Sequence, residues 1–238
     1  MLYDDSVEDA AVGPLGNSTA SWFAAAEGCS VVGRNDAMNG NQSLRLGSGC
    51  VAVNRGVVAA GPETTSMHFV GGKEYEGYLF AKAAAKATLR VSLLCTAVGS
   101  IGGPGNWVTL GKAELAVGGT SGWQMLNFTV TPSADCLQGG TGKALGQGLV
   151  SVSLAATADA SSAVGVDKLM VEPGAWGRFE GLHMRKDLAE AFLGQGPTMM
   201  RLGGSMTNTD GFRFKYMVGP SWSRPPTDSN WIKKTSWG

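Results

Sequence analysis

The sequence predicts a mainly β protein, a jelly-roll β-sandwich followed by an incomplete α/β segment of barrel type. Between about residues 42 and 172, eight short strand signals recur, most of them separated by Gly, Pro, Asn or Asp clusters and with no helix between them. Thirty-six glycines against eight Phe and four Tyr indicate many turns. After residue 172 the pattern changes: Leu188, Ala191 and Phe192 share one helical face at i, i+3 and i+4.

In chain order, the opening MLYDDSVEDAAVGPLG is acidic and has no apolar core of the kind a signal peptide needs. Strands are expected at 43–46, 64–70, 75–81, 88–95, 107–115, 123–131, 149–155 and 166–171. In the fourth, Leu89, Val91 and Leu93 alternate with Arg90 and Ser92, the period of a half-buried strand. Val150, Val152 and Leu154 repeat that pattern. Strand periodicity stops at EPGAWGRF, 172–179, which marks the domain junction. A helix follows in MRKDLAEAF, with Gly194 and Gly196 as stops and Pro197 preventing continuation. Residues 198–200 form a short apolar run suited to a parallel strand buried on both faces. Arg201 would stand at its carboxyl end, where barrel enzymes place working groups, with Gly203 and Gly204 allowing a sharp turn.

Composition narrows the function. Net charge is zero and 16% of residues are charged, so nothing points to nucleic acid or an anionic membrane. No apolar run reaches the ~18 residues of a membrane span. Cys29, Cys50, Cys95 and Cys136 lack C-x-x-C spacing and a nearby His, which argues against zinc and any metal. They allow three disulfide pairings, of which Cys29 with Cys50 is attractive because the two flank a hairpin-sized segment. Asn17, Asn41 and Asn127 begin glycosylation sequons. His68 and His183 are isolated, so no nucleophile triad is expected. GSIGGPG is followed by neither helix nor Lys-Ser/Thr, so no phosphate loop or nucleotide cofactor is expected. Within the sandwich, Trp22, Tyr75, Tyr78, Trp107 and Trp123 could stack on sugar, with Asn106 and Gln124 beside two of them. Trp107, in a glycine-rich loop, is the better surface candidate, and Trp123 reads as a packing residue.

The run GRFEGLHMRKDLAEAF, then MMRLGGSMTN, FRFKYMVGPSWSRPP and TSWG, resembles the α-L-arabinofuranosidases of glycoside hydrolase family 51 over about 176–238. Those proteins have an RKD-x-A-E helix, a strand ending in R-x-x-GG, and a loop ending in RPP with Trp after it. HFVGGKEYEGYLFAKA resembles the carbohydrate-binding-module-like domain of the same enzymes, and LYDDSVED their segment after the first barrel strand. This chain departs from the pattern at Leu202 and Ser205.

The resemblance implies three parts: 1–27 as a remnant of the loop after the first barrel strand, 28–173 as the sandwich, and 174–238 as the truncated start of a (β/α)8 barrel. It implies a secreted enzyme fragment, its leader missing, that acts on plant-type or algal polysaccharide. Retaining glycosidases use two carboxyl groups about 5–5.5 Å apart. After Gly181 only Asp187, Glu190, Asp210 and Asp228 are present, none in an Asn-Glu context, so no catalytic residue is expected in this chain. What the resemblance carries over are substrate contacts: Arg201, Gly203, Gly204, Ser205, Asn208, Trp222 and Trp237, with Trp231 as a further cleft residue. The alternative is a non-catalytic carbohydrate-binding sandwich.

Overall fold

The computed structural model describes residues 13–14, 21–56, 67–97, 106–136, 146–155, 163–199 and 218–223. The chain divides into two compact units, Met1–Glu172 and Pro173–Gly238.

The first unit is a jelly-roll-like sandwich of eleven strands among the described residues: β1 (Gly13–Pro14), β2 (Trp22–Ala24), β3 (Cys29–Gly33), β4 (Gln42–Leu46), β5 (Val51–Asn54), β6 (Tyr75–Ala83), β7 (Ala87–Ala97), β8 (Val108–Val117), β9 (Thr120–Val130), β10 (Gly146–Leu154) and β11 (Val164–Pro173). One sheet has the order β1-β3-β4-β11-β6-β9 and the other β2-β5-β10-β7-β8. Within 1–27, expected to be a remnant loop, β1 and β2 are strands of these sheets. Residues 67–70, expected as strand, contribute only isolated bridges, Met67 to Gly148 and Phe69 to Cys136.

Alternation explains the six-stranded sheet. In β4, Leu44 and Leu46 are buried and Arg45 is exposed; in β6, Tyr75, Leu79, Ala81 and Ala83 are buried. Their neighbours on the other face, Glu76, Tyr78, Phe80 and Lys82, are only partly covered. The five-stranded sheet differs at β2, β5 and β10, where both faces are buried. Val91, Val150 and Val152 share one face with fully buried Trp22, while Phe23, Val53, Leu94 and Leu149 form an apolar cluster on the other. Two disulfides, Cys29–Cys50 and Cys95–Cys136, lock the unit.

The second unit holds, among its described residues, a hairpin of β12 (Arg178–Phe179) and β13 (Leu182–Arg185), then helix α1 (Lys186–Gly194). Glu180 and Gly181, with φ of 50° and 76°, make the two-residue turn of the hairpin. The helix stops where Gly194, Gly196 and Pro197 require it. No barrel start is present in the described part, and this corrects the expected α/β segment. The strand expected at 198–200 is not formed at Thr198 or Met199, and Met199 is 86% exposed. With no strand beside them among the described residues, Thr198 and Met199 cannot satisfy their backbone groups in a buried ladder. The expected apolar stripe of the helix is likewise uncovered: Ala189 is buried, but Leu188 and Phe192 are exposed.

Candidate functional site

The outer face of the six-stranded sheet gathers the side chains suited to binding. Register places Tyr78 opposite Asn127 and Phe80 opposite Met125 across β6 and β9. These residues, with Lys82 and Trp123 beyond them, occupy the alternate positions not used by the core. Tyr78 and Phe80 meet edge to face, with centroids 6.3 Å apart and planes at 83°. Lys82 Nζ lies 4.6 Å from the Trp123 ring centroid, a cation–π distance. The same ammonium is ion-paired with the Asp36 carboxylate, from the 3-10 turn Arg34–Asp36.

Gly165 of β11 is the floor under this pair. A Cβ there would stand 3.1 Å from Lys82 Cγ and 3.3 Å from the outer edge of the Trp123 indole. The absence of a side chain therefore lets both lie against the strand. Beside them opens a cleft of about 300 Å³, lined among others by Asp36, Arg45, Lys82, Thr120, Ser121 and Gly165. The turn at its rim is closed by Gln124, whose Nε2 donates to Gly118 O at 3.2 Å and Thr120 Oγ1 at 2.9 Å.

Asp167 anchors the loop that supplies Asp36. Its Oδ2 accepts from the Met38 and Asn39 amides at 2.9 and 3.4 Å, and its Oδ1 from the Lys168 amide at 2.8 Å. Burial pushes its pKa up to about 7; the three backbone donors and the Lys168 charge oppose the shift without cancelling it. Ser43 Oγ, donating to Asp36 O at 2.9 Å, ties the same loop to β4.

The expected site residues fare differently. Arg201, Gly203, Gly204, Ser205, Asn208, Trp231 and Trp237 lie outside the described residues. Trp222 is half-buried in a 3-10 turn, Ser221–Ser223. Among the sandwich aromatics, Trp22 and Tyr75 are buried. Tyr75 belongs to the frame: its hydroxyl donates to His68 O and accepts from the Val70 amide. Trp107 is half-buried and packs edge-on against Phe23, centroids 6.0 Å apart. The expected roles of the two tryptophans are thus reversed, with Trp123 on the outer face and Trp107 packed on the apolar cluster. Lys82, Arg45 and Asp36 carry no motif. Their only sequence signal is that Tyr78, Phe80 and Lys82 alternate with Leu79, Ala81 and Ala83.

Among the described residues no cluster of His, Cys, Asp or Glu could hold a metal ion, and no helix is long and apolar enough to cross a membrane.

No protein-family model matches the chain, and none of the curated proteins matches it. Solved structures do. The module TmCBM61 in complex with β-1,4-galactotriose is 11% identical, with a TM-score of 0.39, covering 73% of this chain and 97% of that one. The N-terminal cellulose-binding domain of Cellulomonas fimi β-1,4-glucanase C is 15% identical, with a TM-score of 0.39 and coverage of 67% and 99%. The CBM22-1 xylan-binding domain from Paenibacillus barcinonensis Xyn10C is 14% identical, with a TM-score of 0.39 and coverage of 68% and 96%. Membership of glycoside hydrolase family 51, which the C-terminal motifs implied, is corrected: no family model supports it, and the described residues 173–199 build a hairpin and one helix instead of barrel strands.

Proposed function

We propose that the sandwich is a non-catalytic carbohydrate-binding module whose ligand lies along the outer face of the six-stranded sheet. The observation that carries this reading is the strip Tyr78, Phe80 and Trp123, partly exposed on β6 and β9 and flanked by exposed Asn127 and Thr129. Sugar rings present C–H faces that pack on aromatic surfaces, while their hydroxyls need amide, hydroxyl and charged partners at the edges. A sheet face supplies both along a line, which suits a polymer. A plant-type or algal polysaccharide is the proposed partner. The two disulfides support an oxidising, extracellular setting.

The test is affinity electrophoresis and calorimetry against soluble xylans, β-glucans and galactans. Binding to at least one of them is expected, and Trp123→Ala or Tyr78→Ala should weaken it by about tenfold, equivalent to about 1.4 kcal/mol. Absence of binding across the panel, or wild-type affinity in both variants, would refute the reading.

The boundary between 28–173 and 174–238 is part of the proposal, supported by the change of period after residue 172 and by the exposure of α1, whereas the strands within 1–27 join the sandwich. Limited proteolysis is expected to cut between about residues 174 and 196, leaving a resistant sandwich identifiable by mass. A chain that resists cleavage throughout that interval would place the boundary elsewhere.

A further inference from the structure

The cleft at the Lys82 end of the strip has a charge arrangement that a neutral sugar does not require, and we infer that it takes an acidic sugar residue whose carboxylate is held by Arg45. This rests on the carbohydrate-binding reading and specifies the substrate class of that surface. Register sets Arg45 of β4 directly across from Gly165 of β11, so its guanidinium rises beside a position with no side chain. It is exposed, lines the cleft, and makes no ion pair with any described residue. Lys82, by contrast, is already engaged by Asp36 and by the Trp123 ring. Among the described residues that line the cleft, Asp36 is the one carboxylate against two cations, so among them one positive charge is left without a counterpart.

The geometry favours a carboxylate over other occupants. A guanidinium offers a planar fork of donors that matches two carboxylate oxygens, which a hydroxyl cannot fill. The exposed hydroxyl of Ser121, which also lines the cleft, can serve a remaining ring hydroxyl of the same sugar. Trp123, with Lys82 Nζ over its ring and its outer edge against Gly165, lies next to this position. A polymer running along Tyr78 and Phe80 would thus place a uronate unit, or a uronate branch, at Arg45.

Calorimetry of the full chain with glucuronoxylan and polygalacturonate tests this, each compared with its carboxyl-reduced form, which keeps the backbone and loses the charge. At least one acidic polymer is expected to bind roughly tenfold or more tighter than its reduced form, the effect of one charge-assisted hydrogen-bonded pair. In Arg45→Gln that ratio should fall to near one, and added salt should reduce it in the wild type. Arg45 is exposed, so the variant should keep the wild-type unfolding midpoint, which is measured alongside. Equal affinity for acidic and reduced polymers, or an unchanged ratio in Arg45→Gln, overturns the inference but leaves carbohydrate binding standing. A sulfated galactan that binds through Arg45 while both uronates bind no tighter than their reduced forms overturns the carboxylate assignment. If no polysaccharide binds at all, the underlying reading falls and the inference with it.

Discussion

Replacing Cys95 and Cys136 together by Ala is expected to destabilise the sandwich by about 4 kcal/mol, the loop-closure entropy of a cross-link spanning roughly 40 residues. The bond joins residues 41 apart and encloses β8 and β9, the edge strands of the two sheets. Cys136 lies beyond β9, where its amide and carbonyl exchange hydrogen bonds with those of Phe69 at 2.7 and 2.8 Å. Without the cross-link, that bridge and a few neighbouring hydrogen bonds, such as those of the Gly71 amide to Asp135 Oδ1 and the Gly72 amide to Pro132 O, would hold the segment to the body of the sandwich. The Cys29–Cys50 bond closes a shorter loop, 21 residues, and its removal should cost about 3 kcal/mol by the same relation. Urea unfolding of each double variant reads the difference as a shift in midpoint. A loss below about 1 kcal/mol in the Cys95/Cys136 variant would show that the reduced chain is already restrained by other means.

Those edge strands were also among the most legible parts of the sequence. Strands β6 to β11 show either alternation or apolar runs bounded by turn residues, whereas their pairing is not written in that pattern. Strands β2, β3 and β5 were not foreseen, for two physical reasons. They are three to five residues long, and β2 and β5 sit where their sheet is buried on both faces, so Trp22 and Phe23 are adjacent and both covered. Period two disappears when neither face meets water. The binding surface was legible only in part. Alternation separates the two faces of β6 and β9, which is enough to group Tyr78 with Phe80 and Trp123. It does not say which face is covered, so Trp107 and Trp123 were given each other's roles. The cleft itself joins residues from a 3-10 turn, β4, β6, β9 and β11, and only folding brings Asp36 to Lys82. In the second unit the helix was legible because Gly194, Gly196 and Pro197 act locally. The strand after it was not, because two apolar residues become a strand only where a neighbouring strand accepts their hydrogen bonds.

Stability is expected to fall as pH rises from about 4 to about 8, with Asp167 responsible. Its carboxyl ionises at about 7 in the folded protein against an ordinary value of 3.8, so the fold favours the protonated form. The sign follows from proton counts: between these values the native state binds more protons than the unfolded chain, and stability declines with pH. The stabilisation is complete below about 4, is lost progressively through the window, and is gone above about 7. A shift of this size corresponds to something on the order of 4 kcal/mol across the interval. The cause is the burial of a carboxylate whose compensation comes from three amides and the neighbouring Lys168. Asp167→Asn removes the titrating group and, like the protonated carboxyl, keeps one acceptor oxygen, which can serve either the Met38 and Asn39 amides or the Lys168 amide. The variant should therefore show a flatter profile and gain on the wild type as pH rises, the two curves differing most at about pH 8. His68 and His183 are both exposed and present in both proteins, so whatever they contribute cancels in the difference. Thermal unfolding midpoints of the two proteins, taken at intervals of pH, measure it. Parallel curves would mean that Asp167 stays ionised in the fold and that its three amide donors, with Lys168, outweigh the burial.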